Sequence, residues 1–444
     1  MLGLVTYSAI VGGLVVALWK HPSIALAGVL CMFGLEQWGQ ASHPFFAQHQ
    51  TFTNFVIGGI LALGLTFKVL KGELLMANYP AAGWLVLGLF SYTFASAIWA
   101  PRSDISLNIW ESRWPYVLTI VVFAPLIISN TRELLASVKA LILVGALLTI
   151  LLLFFVSWEA RMIVLEDGRG NPLAVSAMAG LVALVVILTD PWPFSRVWNA
   201  AKWLVVGLCL FLVVRSGSRG QLFGVIGVAA VCWPISRRME NVKQFVVWTS
   251  LVLFMTGITF WALQEFWAKQ ENYYAGGNRW SGQAMEGAMS GRFDQGLYLV
   301  RLWFDSVETI VFGLGNSASY DPRILGIYPH FVPLEILAEE GLIGFVLFLA
   351  ILYVTAQSAA KYFRQVQTDS MARSPFAALV AMFLYTLVLA FKQGSLLGNL
   401  EPFMFATILA KYVKLKDSGD TQAPLSKPVD PLPSGVLCRY QILR

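Results

Sequence analysis

Apolar residues come in blocks along almost the whole chain, and most blocks have the length of a bilayer crossing. They cover 2–19, 22–38, 53–70, 80–99, 115–129, 134–156, 172–189, 200–214, 221–235, 244–264, 332–360, 375–391 and 399–413. A helix needs roughly 17–22 apolar residues to cross the hydrocarbon core. In lipid every backbone polar group must be satisfied internally, and unalternating runs of this length do so as helices. The pattern predicts an all-α polytopic transmembrane helical bundle of about 12–13 spans. The first block lacks a positive n-region and a small-residue cleavage site, so it reads as a span.

The largest interruption gives the expected organisation: an N-terminal transmembrane bundle over 1–264, one large loop over 265–331, and C-terminal spans over 332–416. The polar, Pro-rich stretch 417–444 has the composition of a disordered tail. Within the loop, Phe293, Leu297, Val300, Phe304, Val307 and Val311 recur at helical spacing. That spacing predicts an amphipathic helix lying at the interface from Gly291 to Val311.

Composition agrees with the pattern. Hydrophobic residues make up 57% of the chain and charged residues 13%, against about 25% charged in soluble domains. The net charge of +6 is a matter of membrane topology and implies no nucleic-acid partner, because Lys and Arg collect in cytoplasmic loops. Positive residues alternate between successive connections. One set holds Lys20, Lys68, Lys71, Arg132, Lys139, Arg196, Lys202, Arg237, Arg238, Lys243, Lys361, Arg364, Arg373, Lys411, Lys414 and Lys416. The poorer set holds Arg102, Arg113, Arg161, Arg169, Arg215, Arg219 and Lys392. The richer set is expected to be cytoplasmic, which places the large loop on the other side, the periplasm in a bacterium. With 13 spans the N-terminus is expected outside as well. Cys31, Cys209, Cys232 and Cys438 show neither metal-ligand spacing nor an evident disulfide pair.

Arginines on the poorer side run against the charge rule, and a cation near lipid calls for a partner. Val214-Arg215-Ser216-Gly217-Ser218-Arg219-Gly220 is a short link between two spans. It can cradle a phosphate on guanidinium donors and the N–H groups of the following helix, or form a tight turn whose arginines reach water. Gly168-Arg169-Gly170-Asn171-Pro172 is another such turn, in which Asn171 can cap the next helix with Pro172 as its first residue. In the loop, Arg292 opens the amphipathic segment, Arg301 follows about two and a half turns later, and Gly313-Leu314-Gly315 reads as a turn after a helix.

The chain has only four histidines. His330 stands out because Glu335, Glu339 and Glu340 follow within the next helical turns, Glu335 and Glu339 sharing one face. A carboxylate near an imidazole suits it to general-base work. No second histidine lies at metal-ligand spacing, so neither a zinc site nor another cofactor is expected.

These residues carry a resemblance. Ser218-Arg219-Gly220 at a span junction, then Ser290-Gly291-Arg292, then Gly313-Leu314-Gly315, then Tyr328-Pro329-His330 followed by Leu334-Glu335-Ile336-Leu337-Ala338-Glu339-Glu340-Gly341-Leu342-Ile343-Gly344 resembles the O-antigen ligase superfamily. That superfamily includes Wzy-type polysaccharide polymerases and protein O-oligosaccharyltransferases, and the likeness covers mainly 160–360. It implies transfer of a glycan from undecaprenyl diphosphate to an acceptor at the periplasmic face of the bacterial inner membrane, with inversion and without metal or nucleotide. It implies His330 as the base, and Arg219 and Arg292 as ligands of the lipid diphosphate, with Arg215, Arg169 and Arg301 as further donor-side candidates. Glu335 and Glu339 would orient or tune His330. Phe331 stands where the family often has Asn. The acceptor would be lipid A–core in a ligase, a growing glycan in a polymerase, or a protein hydroxyl. A transporter of lipid-linked glycan is the reading from a different class. It would call for ionisable residues at mid-membrane and matching halves, whereas the ionisable residues here gather toward one face.

Overall fold

The structure is a computed structural model. It describes the chain apart from residues 1, 74–75, 77–78, 160–161, 166–167, 193–194, 238–240, 251, 253, 255–256, 258–260, 262–281, 367–369 and 418–444. The expected span 244–264 therefore falls largely outside the described residues, as does nearly all of the expected tail.

The helices, in chain order, begin with α1 (Leu2–Leu18), α2 (Ala25–Ser42), α3 (Pro44–Gln48), α4 (Phe52–Leu70), α5 (Ala81–Ser96), α6 (Ser103–Tyr116) and α7 (Thr131–Phe154). A small antiparallel sheet follows, made of β1 (Trp158–Glu159), β2 (Met162–Leu165) and β3 (Gly168–Arg169), with β2 central. Then come α8 (Pro172–Leu188), α9 (Arg196–Arg215), α10 (Arg219–Ser236), α11 (Gly282–Trp303), α12 (Val307–Phe312), α13 (Val332–Glu339), α14 (Gly341–Val366), α15 (Ser370–Ala390) and α16 (Glu401–Asp417). The chain is thus an α-helical bundle with one short sheet.

Among the described residues, six helical segments are long and apolar enough to cross a membrane: Phe52–Leu70, Thr131–Phe154, Arg196–Arg215, Arg219–Ser236, Gly341–Val366 and Ala372–Ala390. Shorter apolar helices at Gly3–Leu18, Ala81–Ser96 and Pro172–Leu188 accompany them. This is a multi-pass membrane protein. Its centre is built where α8 and α15 pack on one another and on α10, with α16 against α15, and Val182, Val186, Leu379, Tyr385 and Phe405 are fully buried there. Large apolar side chains that remain exposed, such as Val346 and Tyr353 on α14 or Trp203 and Phe211 on α9, suit contact with lipid.

Three expectations need correction. The run 332–360 is not one span: it breaks into α13 and α14 at Glu340–Gly341, where Gly341 takes φ +65. A glycine in the left-handed region just past a helix closes its last turn and redirects the chain. The amphipathic stretch 291–311 is not one helix either. Ser306 starts α12 with a capping box to Thr309, which satisfies orphan N–H groups and so favours a new helix there. The expected span 115–129 is the continuation of α6 through a π-helical segment (Val117–Phe123) and a 3-10 turn (Ala124–Ile127). Pro115 and Pro125 interrupt the regular ladder there. The β1–β3 sheet, in a stretch taken as loop, uses the β-prone run Met162-Ile163-Val164-Leu165.

Connections collect on two faces. The face carrying His330 is knitted by Tyr92 Oη donating to Phe312 O (3.0 Å), by Asn171 N donating to Gln37 Oε1 (2.7 Å), and by Asn316 N donating to Ser96 Oγ (3.0 Å). The opposite face is held by buried cations. The broken helix that begins with α6 ends there in unpaired carbonyls; Lys411 Nζ donates to Pro125 O and Leu126 O, and Lys68 Nζ to Ile127 O (3.2 Å). A cation belongs at a helix C-terminus, where the dipole is negative. Lys68, fully buried, also bonds Ser129 Oγ (2.9 Å), Glu133 Oε1 (2.8 Å) and Glu73 Oε2 (2.7 Å).

Replacing Lys68 by Met leaves Glu133 without its buried counter-charge, a loss of about 3 kcal/mol. Denaturant unfolding in detergent should show this as a lower midpoint; an unchanged midpoint would show the network to be ornamental.

Candidate functional site

The site is organised by three buried carboxyl groups. α13 ends with Glu339 and the cap residue Glu340, and the glycine turn 313–315 lies directly on this bend. Leu314 N donates to Ala338 O (2.9 Å) and Gly315 N to Glu339 O (2.8 Å), so the turn satisfies carbonyls at the end of α13. Gly313 takes φ +81, and a Cβ on it would overlap the Glu339 backbone. Only glycine meets both demands. Beyond the turn, Ser317 (φ +59) and Ser319 donate their N–H groups to the two oxygens of Glu339, at 2.6 Å and 2.9 Å. Asn316 Nδ2 donates to Glu340 Oε1 (3.3 Å). On the first turn of α13, Glu335 accepts Leu396 N at 3.1 Å.

Each carboxyl therefore ties a different segment to α13. Glu339 holds the 313–319 turn, Glu340 joins that turn to α5, and Glu335 holds the 392–399 connection. The bonds of Glu335 and Glu339, expected to tune His330, run to backbone N–H groups of the frame that places it. Burial raises the pKa of both above the carboxylate range, their mutual repulsion lifting Glu335 further. Burial pushes Glu340 up to about 8. Its Oε2 is buried without a hydrogen-bond partner among the described residues, which suits a neutral carboxyl and not a charged one.

His330 precedes α13 in a turn of its own. Its φ is +58, in the left-handed region that few residues other than glycine enter, histidine more readily than most. Half-buried, it lies edge-on to Tyr328, ring centroids 4.3 Å apart, and Tyr328 in turn lies 6.0 Å from Tyr320. Burial raises Tyr320 to about 12, opposed by a hydrogen bond to Ser395 and by the nearby Arg113. Phe331, the departure from the family pattern, packs edge-on against Phe391 at 5.4 Å. It fastens the His330 turn to the end of α15.

The cations of the neighbouring elements are held separately. Arg215 closes α9 with its guanidinium over Trp158 of β1, 5.5 Å from the ring centre. Ser216, Gly217 (φ +66) and Ser218 reverse the chain, Ser216 Oγ donating to Ser218 Oγ at 2.9 Å, and Arg219 begins α10. Lys392 Nζ donates to Gln221 Oε1 (3.0 Å), and Gln221 Nε2 to Gln393 Oε1 (2.8 Å). The α9–α10 turn and the His330 turn thus meet at Phe391-Lys392-Gln393. In α11, Leu299 and Trp303 pack with Ala338 of α13, and Gly296 faces Leu334. Position 292 falls on the same stripe of the helix as 296 and 299, whereas Arg301 lies off it and is exposed. Arg169 pairs with Val164 through its backbone; the side chains of Arg169 and Arg292 lie outside the described part. Asn171 caps α8 as expected, accepting from Leu173 N (3.0 Å) and Ala174 N (3.3 Å).

Sequence reasoning missed Tyr320, Tyr328, Arg113 and Lys392 as neighbours of the site. Arg113 and Lys392 carry the same signal that singled out Arg219, a cation on the cation-poor side. Among the described residues no group of three or more His, Cys, Asp or Glu side chains is arranged to hold a metal.

The carboxyl cluster predicts a pH dependence. Glu340 is neutral in the folded protein up to about pH 8 but ionises near its ordinary value, 4.5, when unfolded. Its folded pKa is the higher one, so stability is greatest at low pH and is lost as pH rises toward 8. Glu339, Glu335, Tyr92, and the hydroxyls of Ser96 and Thr93 share its surroundings; the two glutamates shift the same way. The melting temperature of the wild type should therefore fall between pH 5 and 8, and Glu340→Gln should flatten part of that fall. Superimposable profiles would contradict the neutral carboxyl. No family model matches the chain and no curated protein matches it, so the chemistry of the site is read from its own residues.

Proposed function

We propose that this protein is a membrane glycosyltransferase resembling the O-antigen ligases, moving a glycan from undecaprenyl diphosphate to an acceptor hydroxyl. The observation that carries the reading is the junction of the His330 turn with the α9–α10 turn, through Phe331 on Phe391 and Lys392 on Gln221. A candidate base and a cation-bearing helix start are tied to one connection, 391–393, on the face of the bundle that is poor in Lys and Arg. By the charge rule that face is the periplasmic one, in the inner membrane of a bacterium.

The chemistry follows from these groups. The imidazole of His330 takes the proton of the acceptor hydroxyl as its oxygen attacks the anomeric carbon. The bond from that carbon to the donor phosphate breaks, the configuration inverts, and undecaprenyl diphosphate leaves with the electron pair. Negative charge grows on the departing phosphate, where fixed donors are worth most. Arg219 and the first N–H groups of α10 supply them, with Arg215 behind and position 292 of α11 on the side facing α13. Apolar flanks of the spans receive the polyprenyl tail. Lipid A–core is the acceptor favoured by the ligase resemblance; a growing glycan and a protein hydroxyl require the same chemistry and differ in what enters beside His330.

His330→Asn is the decisive variant, because Asn tolerates the left-handed backbone better than other residues and cannot act as a base. Transfer from undecaprenyl-diphosphate glycan to lipid A–core should fall by at least about 100-fold, with donor binding and melting temperature retained. Wild-type turnover in this variant would remove His330 from the chemistry. Arg219→Ala should show the complementary pattern, weakened donor binding that Arg219→Lys restores only in part, since a lysine cannot offer the planar fork. Unchanged donor affinity in Arg219→Ala would overturn the diphosphate role.

A further inference from the structure

Lys392 is a cation on the face that is poor in them, and the fold goes to some length to hold it. It sits just past α15, yet its side chain reaches the first turn of α10. There it lies so close over Gly220 that a Cβ at that position would collide with its Cδ, Cε and Nζ. Its Nζ donates to Gln221 Oε1 at 3.0 Å, and Gln221 is clamped in turn by Gln393 at 2.8 Å. The ammonium is thereby fixed next to Arg219, at the end of α10 where the helix dipole is positive and a second cation is disfavoured. Among the described residues, the two fully buried lysines, Lys68 and Lys411, reach carbonyls at helix ends, the arrangement the dipole favours. Lys392 follows the C-terminal end of α15 directly, yet its side chain carries the ammonium away to the opposite, positive end of α10. Through Phe391 it also adjoins Phe331, and so the His330 turn.

Resting on the glycosyltransferase reading above, we infer that Lys392 is a donor-binding residue that contacts the diphosphate between Arg219 and His330. Two cations on neighbouring elements distinguish a diphosphate from a monophosphate, because each phosphate group can then meet its own positive charge. The site would therefore hold the donor before transfer, and would hold undecaprenyl monophosphate much less well. Gln221 and Gln393 act through Lys392 by fixing its position. Gly220 leaves the space in which the lysine stem lies.

The test is equilibrium binding of undecaprenyl diphosphate and undecaprenyl monophosphate to the full-length protein in detergent. Wild type, Lys392→Gln, Lys392→Arg, Gly220→Ala and Arg219→Ala are compared. Lys392→Gln should weaken diphosphate binding about tenfold and lower the preference for diphosphate over monophosphate, with Lys392→Arg intermediate. Gly220→Ala retains every charge and improves helix propensity, yet displaces the lysine stem, so it should reproduce the loss of preference without loss of stability. Should Lys392→Gln fold poorly, Gly220→Ala decides the matter alone. Wild-type affinity and preference in Lys392→Gln and Gly220→Ala, with binding lost in Arg219→Ala, would overturn the role of Lys392 and leave the proposed function standing. Failure of the wild type to bind the diphosphate lipid would overturn both.

Discussion

The placement of the candidate site depends on one interaction, the buried Glu339 carboxyl held by the N–H groups of Ser317 and Ser319. Burying a carboxyl group is costly unless hydrogen bonds replace its water. Here the replacement comes from a backbone turn that is itself pressed onto the α13–α14 bend by Gly313 and Gly315. The exchange works in both directions. The turn satisfies the carboxyl, and the carboxyl gives two otherwise orphan N–H groups a partner. Because α11 and α12 adjoin the same corner, α11 through Leu299 and Trp303 against Ala338, the segment leading up to His330 hangs from this point. Glu335 repeats the arrangement with Leu396, and so positions the connection that carries Lys392. Carboxyl groups singled out as orienting groups for a histidine are also anchors for the two loops flanking it.

Cations divide the molecule by the same logic of helix ends. On the face opposite His330, Lys68 and Lys411 take the place of missing N–H donors where the broken helix after α6 ends. Their role is structural, and it explains why a membrane protein buries them completely. On the His330 face, Arg215 also ends a helix and stacks on Trp158, a self-sufficient arrangement. Arg219 opens α10, and the ammonium of Lys392, from the connection after α15, lies over Gly220 beside it. The start of a helix offers neither cation a negative end.

How much of this was legible in the sequence depends on the range of the interaction involved. The helical, multi-pass character was readable because bilayer thickness imposes a length on apolar runs; of the 12–13 spans expected, six helical segments among the described residues are long and apolar enough to cross. The Asn171-Pro172 start of α8 was readable because a cap is local. The break at Glu340–Gly341 was hidden inside an apolar run, although Glu-Glu-Gly carries the glycine stop of a helix C-terminus. Ser306 was a comparable local signal, a serine three residues before Thr309. His330 could be singled out because histidines are scarce and glutamates follow it. Lys392 could not be tied to the site, because its meaning comes from Gln221, separated from it by 171 positions. Phe331 was visible only as a departure from the family pattern; its packing on Phe391 shows what the aromatic ring does there.

The left-handed backbone of His330 connects these points. A residue other than glycine costs on the order of 1 kcal/mol in that conformation, and nothing in Tyr328-Pro329-His330 would hold it there unaided. The restraint comes from both sides. Phe331 is held against Phe391 and caps the start of α13, whose far end is locked by Glu339, while Tyr328 lies tilted against Tyr320 at the edge of the Ser317–Ser319 turn. The strained turn is thus bracketed by the two contacts that the buried carboxyls support. The imidazole is thus carried on a fixed piece of backbone. The proposed role of His330 as a base calls for such a support, since orientation contributes to rate only when it is set before the substrate arrives.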